Sequence, residues 1–234
     1  MALAEQLQDL LGLQSAPVAL SFVATPPADT PRAGVAAPSG CTYWKWAAEG
    51  QSFYTEASDH YNCPIGAYTH GVDLPPERAK ELEGVVGKMM DLGYLRQEEI
   101  PAIPRRQGDF HFAVYAPLAQ TRGEPDVVLV RGNAKQIMLL AEAAQAARIG
   151  AESGLMGRPT CAAIPAAMHS ERAVASLGCI GNRVYTGLAD DELYFALPGK
   201  QVGTVVAKLA TSVYANREFE SYHRARVLLK EAST

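Results

Sequence analysis

The chain has 234 residues, 48% of them apolar and 20% charged, with a net charge of −4. That length supports one compact domain with a sizeable core. The mildly acidic balance offers no basic field for nucleic acid or an anionic membrane surface, and no apolar run approaches the roughly 20 residues of a membrane-spanning helix.

The opening MALAEQLQDLLGL sets Leu3, Leu7, Leu10, Leu11 and Leu13 close to helical spacing, and Glu5 and Asp9 interrupt any leader-like stretch. It predicts an amphipathic helix over 1–13 and a cytoplasmic protein. PVALSFV at 17–23 reads as a buried strand, followed by a Pro-, Ala- and Thr-rich loop over 24–39. CTYWKWAA at 41–48 reads as a short helix and SFYTE at 52–56 as a strand. Cys63 opens CPIGAYTHG, where Pro64 suits a first helical position. A helix over 75–92 begins at proline, carries Leu82, Val85, Val86, Met89 and Met90 on one face, and stops at Gly93. Residues 96–110 read as a connector, and 111–118 and 126–131 as strands. Asn133 caps a helix to about residue 148. A short helix starts at Cys161. Strands follow at 173–177 and 192–197, then a helix over 202–214 and a charged helical C-terminus.

The order contains a repeat. VVGKMMDLGY at 85–94 and VVAKLATSVY at 205–214 share Val, Val, Lys and Tyr at identical spacing, and a Leu-Pro pair precedes each, Leu74-Pro75 and Leu197-Pro198. Cys63 is followed by Gly66, Tyr68-Thr69 and Gly71, and Cys179 by Gly181, Tyr185-Thr186 and Gly187. Earlier cysteines stand 22 residues before Cys63 and 18 before Cys179, each behind an apolar strand. The expectation is a single α/β (α+β) domain over 1–234, internally duplicated, with halves at about 14–95 and 111–216 packed about a pseudo-two-fold axis. Cys41 then corresponds to Cys161 and Cys63 to Cys179, and the symmetry brings all four together.

No pair has the Cys-x-x-Cys spacing of a zinc ribbon or ferredoxin. The local settings carry more: Ser39-Gly40-Cys41, Asn62-Cys63-Pro64, Pro159-Thr160-Cys161 and Gly178-Cys179-Ile180-Gly181 are all turn-rich starts. Backbone N–H groups at such starts stabilise thiolates and tune metal-bound sulfur. Four thiolates match a [4Fe–4S] cluster or a tetrahedral zinc ion. The cluster is the first choice, because a chain this long needs no zinc staple. A thiol–disulfide switch is a third chemistry. Cys41, Cys63, Cys161 and Cys179 are therefore the expected ligands, with His60, Arg158, Asn182 and Arg183 as candidate supporting groups. His70 and His169 are weaker candidates of the same kind. Gly157-Arg158 and Gly181-Asn182-Arg183 offer anion-holding turns, and Arg131-Gly132-Asn133 offers N–H groups to a phosphate without a full glycine pattern. Tyr43-Trp44-Lys45-Trp46 either walls the site or packs in the core.

GRPTCAAIPAA at 157–167, SLGCIGNRVYTGL at 176–188 and ELYFALPG at 192–199 resemble the hallmark blocks of the domain of unknown function 169 family of bacterial and archaeal proteins. The resemblance spans nearly the whole chain and is most specific in the second half, where Cys161 and Cys179 sit in matching blocks. It implies a cytoplasmic protein of anaerobic or metal-using metabolism and names no reaction. The function expected is an iron–sulfur protein in electron transfer or small-molecule redox chemistry, with a redox partner or small molecule and no nucleic acid or membrane. The alternative is a ligand-binding or regulatory protein with structural cysteines or a four-cysteine zinc site. Apolar helix faces leave room for a homodimer.

Overall fold

The computed structural model describes residues 2–152 and 159–231. Among them seven strands form one sheet: β1 (Val18–Val23), β2 (Phe53–Glu56), β3 (Phe112–Pro117), β4 (Val127–Asn133), β5 (Ala151–Glu152), β6 (Ala173–Ser176) and β7 (Glu192–Pro198). Their order is β2-β3-β1-β4-β7-β6-β5. Every neighbouring pair is antiparallel except β5 with β6. The helices are α1 (Leu3–Leu11), α2 (Gly40–Ala48), α3 (Pro64–His70), α4 (Pro76–Asp91), α5 (Ala134–Ala146), α6 (Ala163–Ser170), α7 (Ile180–Thr186) and α8 (Val202–Glu231).

Strand alternation sorts the side chains into two layers. Val127 and Leu129 of β4 join Leu20, Tyr115, Ala196 and Val174 beneath Tyr43, Trp44 and Ile164 of α2 and α6. Val128 and Val130 point the other way, with Phe195 and Leu197, into α1, α5 and α8. The first layer includes Cys41 and Cys161. The second uses Leu7 and Leu11 of the expected N-terminal helix and Val202, Val205, Val206 and Leu209 of α8.

Local chemistry sets the ends of these elements. Ser39 caps α2 by accepting from the Cys41 N–H at 3.3 Å. Asn133 and Gln136 cap α5 reciprocally, at 3.0 and 2.8 Å. At the end of β7, Gly199 donates to the Asp126 carbonyl at 2.9 Å, and a Cβ there would stand 1.6 Å from the Pro125 oxygen. Only glycine lets the chain leave β7 so close to the start of β4.

Four features differ from the sequence reading. The helices sharing the VV-x-K…Y pattern stand at different points of the topology, since α4 precedes β3 whereas α8 follows β7. They also differ in burial: α4 buries none of its residues, and α8 buries its first turns. Strand β3 lies between β1 and β2 and so groups with the strands before it. The helix expected at 202–214 and the expected helical C-terminus form one continuous element to Glu231, and the connector holds a 3₁₀ turn at Gln97–Ala102. No helix among the described residues is long and apolar enough to cross a membrane.

Behind β2 lies a closed aromatic cluster. His60 Nε2 meets Thr55 Oγ1 at 2.8 Å, and the His60 ring lies 5.3 Å from Tyr43, 5.2 Å from Phe110 and 5.6 Å from His70. Burial pushes the His60 pKa down to about 4 and that of His70 to about 3. In the unfolded chain both titrate near 6.5. The unfolded state therefore takes up protons that the native state refuses. Stability is at full value above about pH 6.5 and falls as pH drops toward 4, by up to about 1.4 kcal/mol per pH unit for each histidine.

Two measurements check these points. Urea midpoints should fall steeply between pH 6.5 and 4.5, and His70→Phe should flatten that fall; a variant with the wild-type slope contradicts the account. Gly199→Ala should cost about 3 kcal/mol or more through the backbone clash. Gly84→Ala in α4, where a Cβ meets nothing within 4 Å, should instead stabilise by about 0.5–1 kcal/mol.

Candidate functional site

Two short cysteine-bearing segments come from before β3 and two from after β4. Cys41 lies in the first turn of α2, and Cys63 is the residue preceding α3. Cys161 lies in a 3₁₀ turn, Thr160–Ala162, that leads into α6, and Cys179 caps α7. The packing crosses over: α2 rests on α7, and α3 rests on the Cys161 turn and α6. Each early cysteine segment therefore faces a late one.

Within each pair a hydroxyl ties the two segments together. Ser39, which caps α2, places its Oγ 3.9 Å from Cys63 Sγ. Thr160 Oγ1 accepts from the Cys179 N–H at 2.5 Å. The Cys63 N–H donates to the His60 carbonyl at 3.0 Å. Close approach is again made by glycine: a Cβ on Gly66 would meet Cys63 Sγ at 2.9 Å and Gly40 Cα at 3.9 Å. Cys179 Sγ accepts from the Asn182 backbone N–H at 3.4 Å.

Cys41 and Cys161 are each 5% exposed, and Cys63 and Cys179 are half-buried. All four are unpaired thiols. Burial, with a smaller push from Cys63 and Cys179, lifts the Cys41 pKa to about 12. Burial likewise lifts Cys161 well above its ordinary value, helped by the charges of Cys41, Cys63 and Cys179. The two sets of cysteine-bearing segments meet through the α2–α7 contact and the contacts of α3 with the Cys161 turn and α6. Among the described residues, no three His, Cys, Asp or Glu side chains stand close enough to enclose one metal ion.

The supporting residues divide. Asn182 is 1% exposed and its side chain lies beside the Cys41 thiol, favouring the thiolate. Neither its Oδ1 nor its Nδ2 is aligned for a hydrogen bond. Thr69 stands beside Cys161 in the same way, but its hydroxyl already donates to the Gly66 carbonyl at 2.9 Å. Arg183 turns away and donates to the carbonyls of Leu177, Leu188, Ala189 and Glu192, so its guanidinium fastens the chain around α7. The His60 ring belongs to the aromatic cluster, and only its carbonyl reaches the Cys63 backbone. Gly157 and Arg158 lie outside the described residues. His169 is exposed at the end of α6.

Other candidate sites resolve into structure. Arg131 pairs with Glu192 and donates to the Thr186 and Gly187 carbonyls. The Asn133 and Gln136 N–H groups at the start of α5 are used in its cap. Tyr43 is fully buried, accepting from the Ala37 N–H at 3.0 Å and donating to the Asp59 carbonyl at 2.8 Å. Trp44 meets Tyr194 edge-on, with centroids 5.4 Å apart. The aromatic stretch after Cys41 is therefore core. Sequence reasoning missed Ser39, Gly66, Thr69 and Thr160. The hydroxyl residues two places before Cys41 and one before Cys161 were the available signal, since such residues cap helix starts.

Comparison with known proteins agrees on kinship and is silent on chemistry. Residues 6–208 match DUF169, described as an uncharacterised ArCR family. An uncharacterised protein of Methanocaldococcus jannaschii, MJ0308, is 31% identical over 170 residues, covering 68% of this chain and 70% of its own. No solved structure matches the chain. With most of both sheet layers and all four cysteines inside the matched span, the chain belongs to the DUF169 family.

Proposed function

We propose that this is an iron–sulfur protein in which Cys41, Cys63, Cys161 and Cys179 hold one [4Fe–4S] cluster, serving electron transfer or small-molecule redox chemistry. The carrying observation is the crossed packing of four cysteine-bearing turns, each early one set against a late one. Tetrahedral zinc would draw on the same four thiolates and is told apart from the cluster by the absence of sulfide. When bound, the cluster supplies one-electron chemistry at a potential set by its surroundings. The chain's own part is to bury Cys41 and Cys161, leave an edge at Cys63 and Cys179, and direct N–H groups such as that of Asn182 at sulfur.

Strand order supports an internal duplication. Counting outward from the middle of the sheet, one side runs β1, β3, β2 and the other β4, β7, β6, with the two-residue β5 added beyond β6. With β5 set aside, the first strand of each set in sequence is central and the second is outermost. The proposed halves therefore run from β1 to β3 and from β4 to β7, and β3 moves into the first. Four unpaired cysteines suit a reducing compartment such as the cytoplasm. A redox partner protein or a small molecule would meet the half-buried edge.

Anaerobically prepared or reconstituted protein should carry about four iron and four sulfide per chain. Colourless protein without iron or sulfide would falsify the cluster, and one zinc per chain without sulfide would replace it. Cys41→Ser or Cys161→Ser should abolish loading. The two buried thiols hold their protons near neutral pH, because their pKa values are raised. Loading must therefore release protons, and the rate should climb with pH between 6.5 and 8.5; a flat rate would contradict the burial of these thiols.

A further inference from the structure

A cavity of about 170 Å³ lies on the cysteine side of the sheet, and none of the four cysteines lines it. Val18 of β1, Leu129 of β4 and Ala48 of α2 give it an apolar side. Trp44 of α2 and Tyr194 of β7 also line it, their rings edge-on with centroids 5.4 Å apart. It stands where two helices end, since α2 stops at Ala48 and Thr186 is the last residue of α7.

Trp44 is 1% exposed, and its indole N–H has no hydrogen-bond partner among the described residues. Buried donors are almost always satisfied. The adjacent Tyr43 keeps that rule, accepting from the Ala37 N–H and donating to the Asp59 carbonyl. An indole N–H can only donate, so a partner arriving in the cavity must bring an acceptor. The charged residues around the cavity are Lys45, Arg131 and Glu49, two cations against one carboxylate. Glu49 stands 3.8 Å from Lys45, and both are half-exposed. Arg131 lies deeper, and its partner Glu192 does not line the cavity. Arg131 Nη1 donates to the Thr186 carbonyl at 3.4 Å and carries a second hydrogen. An unused donor and a net positive charge thus stand beside an apolar surface.

We propose that this cavity binds a short-chain carboxylate. The carboxylate oxygens take the Trp44 indole N–H and the second hydrogen of Arg131 Nη1, and the alkyl part lies against Val18, Leu129 and Ala48. The volume holds about six non-hydrogen atoms, at the roughly 30 Å³ that each water occupies in the liquid, a size that butyrate matches. Hydrogen bonds to a charged acceptor are the strong ones, which favours a carboxylate over a neutral amide. The apolar side disfavours an inorganic anion, whose remaining oxygens would lie against it without partners. Lys45 draws the anion toward the opening. Binding needs neither a metal nor a cluster, and no covalent bond is made or broken.

The test is isothermal titration calorimetry of the full chain with butyrate, with butyramide as its neutral counterpart, and with inorganic phosphate. Butyrate should bind the wild type with a dissociation constant at or below about 1 mM. Butyramide should bind about tenfold more weakly, and phosphate more weakly than butyrate. Trp44→Phe removes the donor and keeps an aromatic ring, and should weaken butyrate about tenfold. Ala48→Leu fills the apolar side and should weaken it at least as much. The chain has two tryptophans, Trp44 and Trp46, so Trp46→Phe leaves one indole N–H signal in a proton–nitrogen NMR spectrum. Butyrate should move that signal downfield. If Trp44→Phe fails to fold, Ala48→Leu and the NMR shift carry the comparison. A wild type that gives no saturable heat with butyrate overturns the site. So does butyrate binding that Trp44→Phe or Ala48→Leu leaves unchanged, or a Trp44 signal that does not move. Butyramide binding as tightly as butyrate, or phosphate binding more tightly, overturns the carboxylate.

Discussion

A helix start leaves N–H groups without partners, and in this protein several such starts are buried together above one face of a sheet. That is tolerable only where acceptors stand within reach. The chain supplies them from the residues around the cysteines. Ser39 takes the Cys41 N–H, Thr160 takes the Cys179 N–H, and Cys179 sulfur takes the Asn182 N–H. The same contacts that satisfy the backbone fix where the sulfurs lie. Capping and positioning are here one set of interactions, so a change at Ser39 or Thr160 acts on the fold and the sulfurs together.

The rest of the layer follows from holding these turns in place. Trp44 and Tyr43 anchor α2 on the sheet, and Ile164 anchors α6. Arg131 and Arg183 bind the carbonyls that end α7 and the strand beside it. These guanidiniums replace water at the carbonyls of a seven-residue helix that is too short to be stable alone. Glycine at 66 lets α3 approach its own cysteine. Much of the polar chemistry in this region is thus structural, which is why arginines in turns near a candidate site were poor guides to its function.

Sequence alone made the strands and most helices legible, because β1, β4 and β7 are apolar runs and α5 has both a cap and a helical stripe. The four cysteines were legible from their turn-rich settings. The pairing across the chain was suggested by the repeated Cys-to-Gly loops, which α3 and α7 match in length and in their left-handed glycine ends. The VV-x-K…Y agreement was misleading, because periodicity records that a helix has an apolar stripe and not where the helix sits. Residues Leu82 to Met90 have the stripe, yet none of them is buried. His60 and Arg183 could not be separated from Asn182 by sequence, since burial and the direction of a side chain depend on strands far away in the chain.

The unequal depth of the cysteines gives the site an inside and an outside. Cys41 and Cys161 are sealed by the sheet below and the helices around them, whereas Cys63 and Cys179 reach the surface side. A redox group held by these thiols, as proposed, would be reached from the side of Cys63 and Cys179, and charge would enter and leave there. Such a site is suited to a carrier that meets its donor and acceptor in turn, and unsuited to a through-wire linking two partners bound at once.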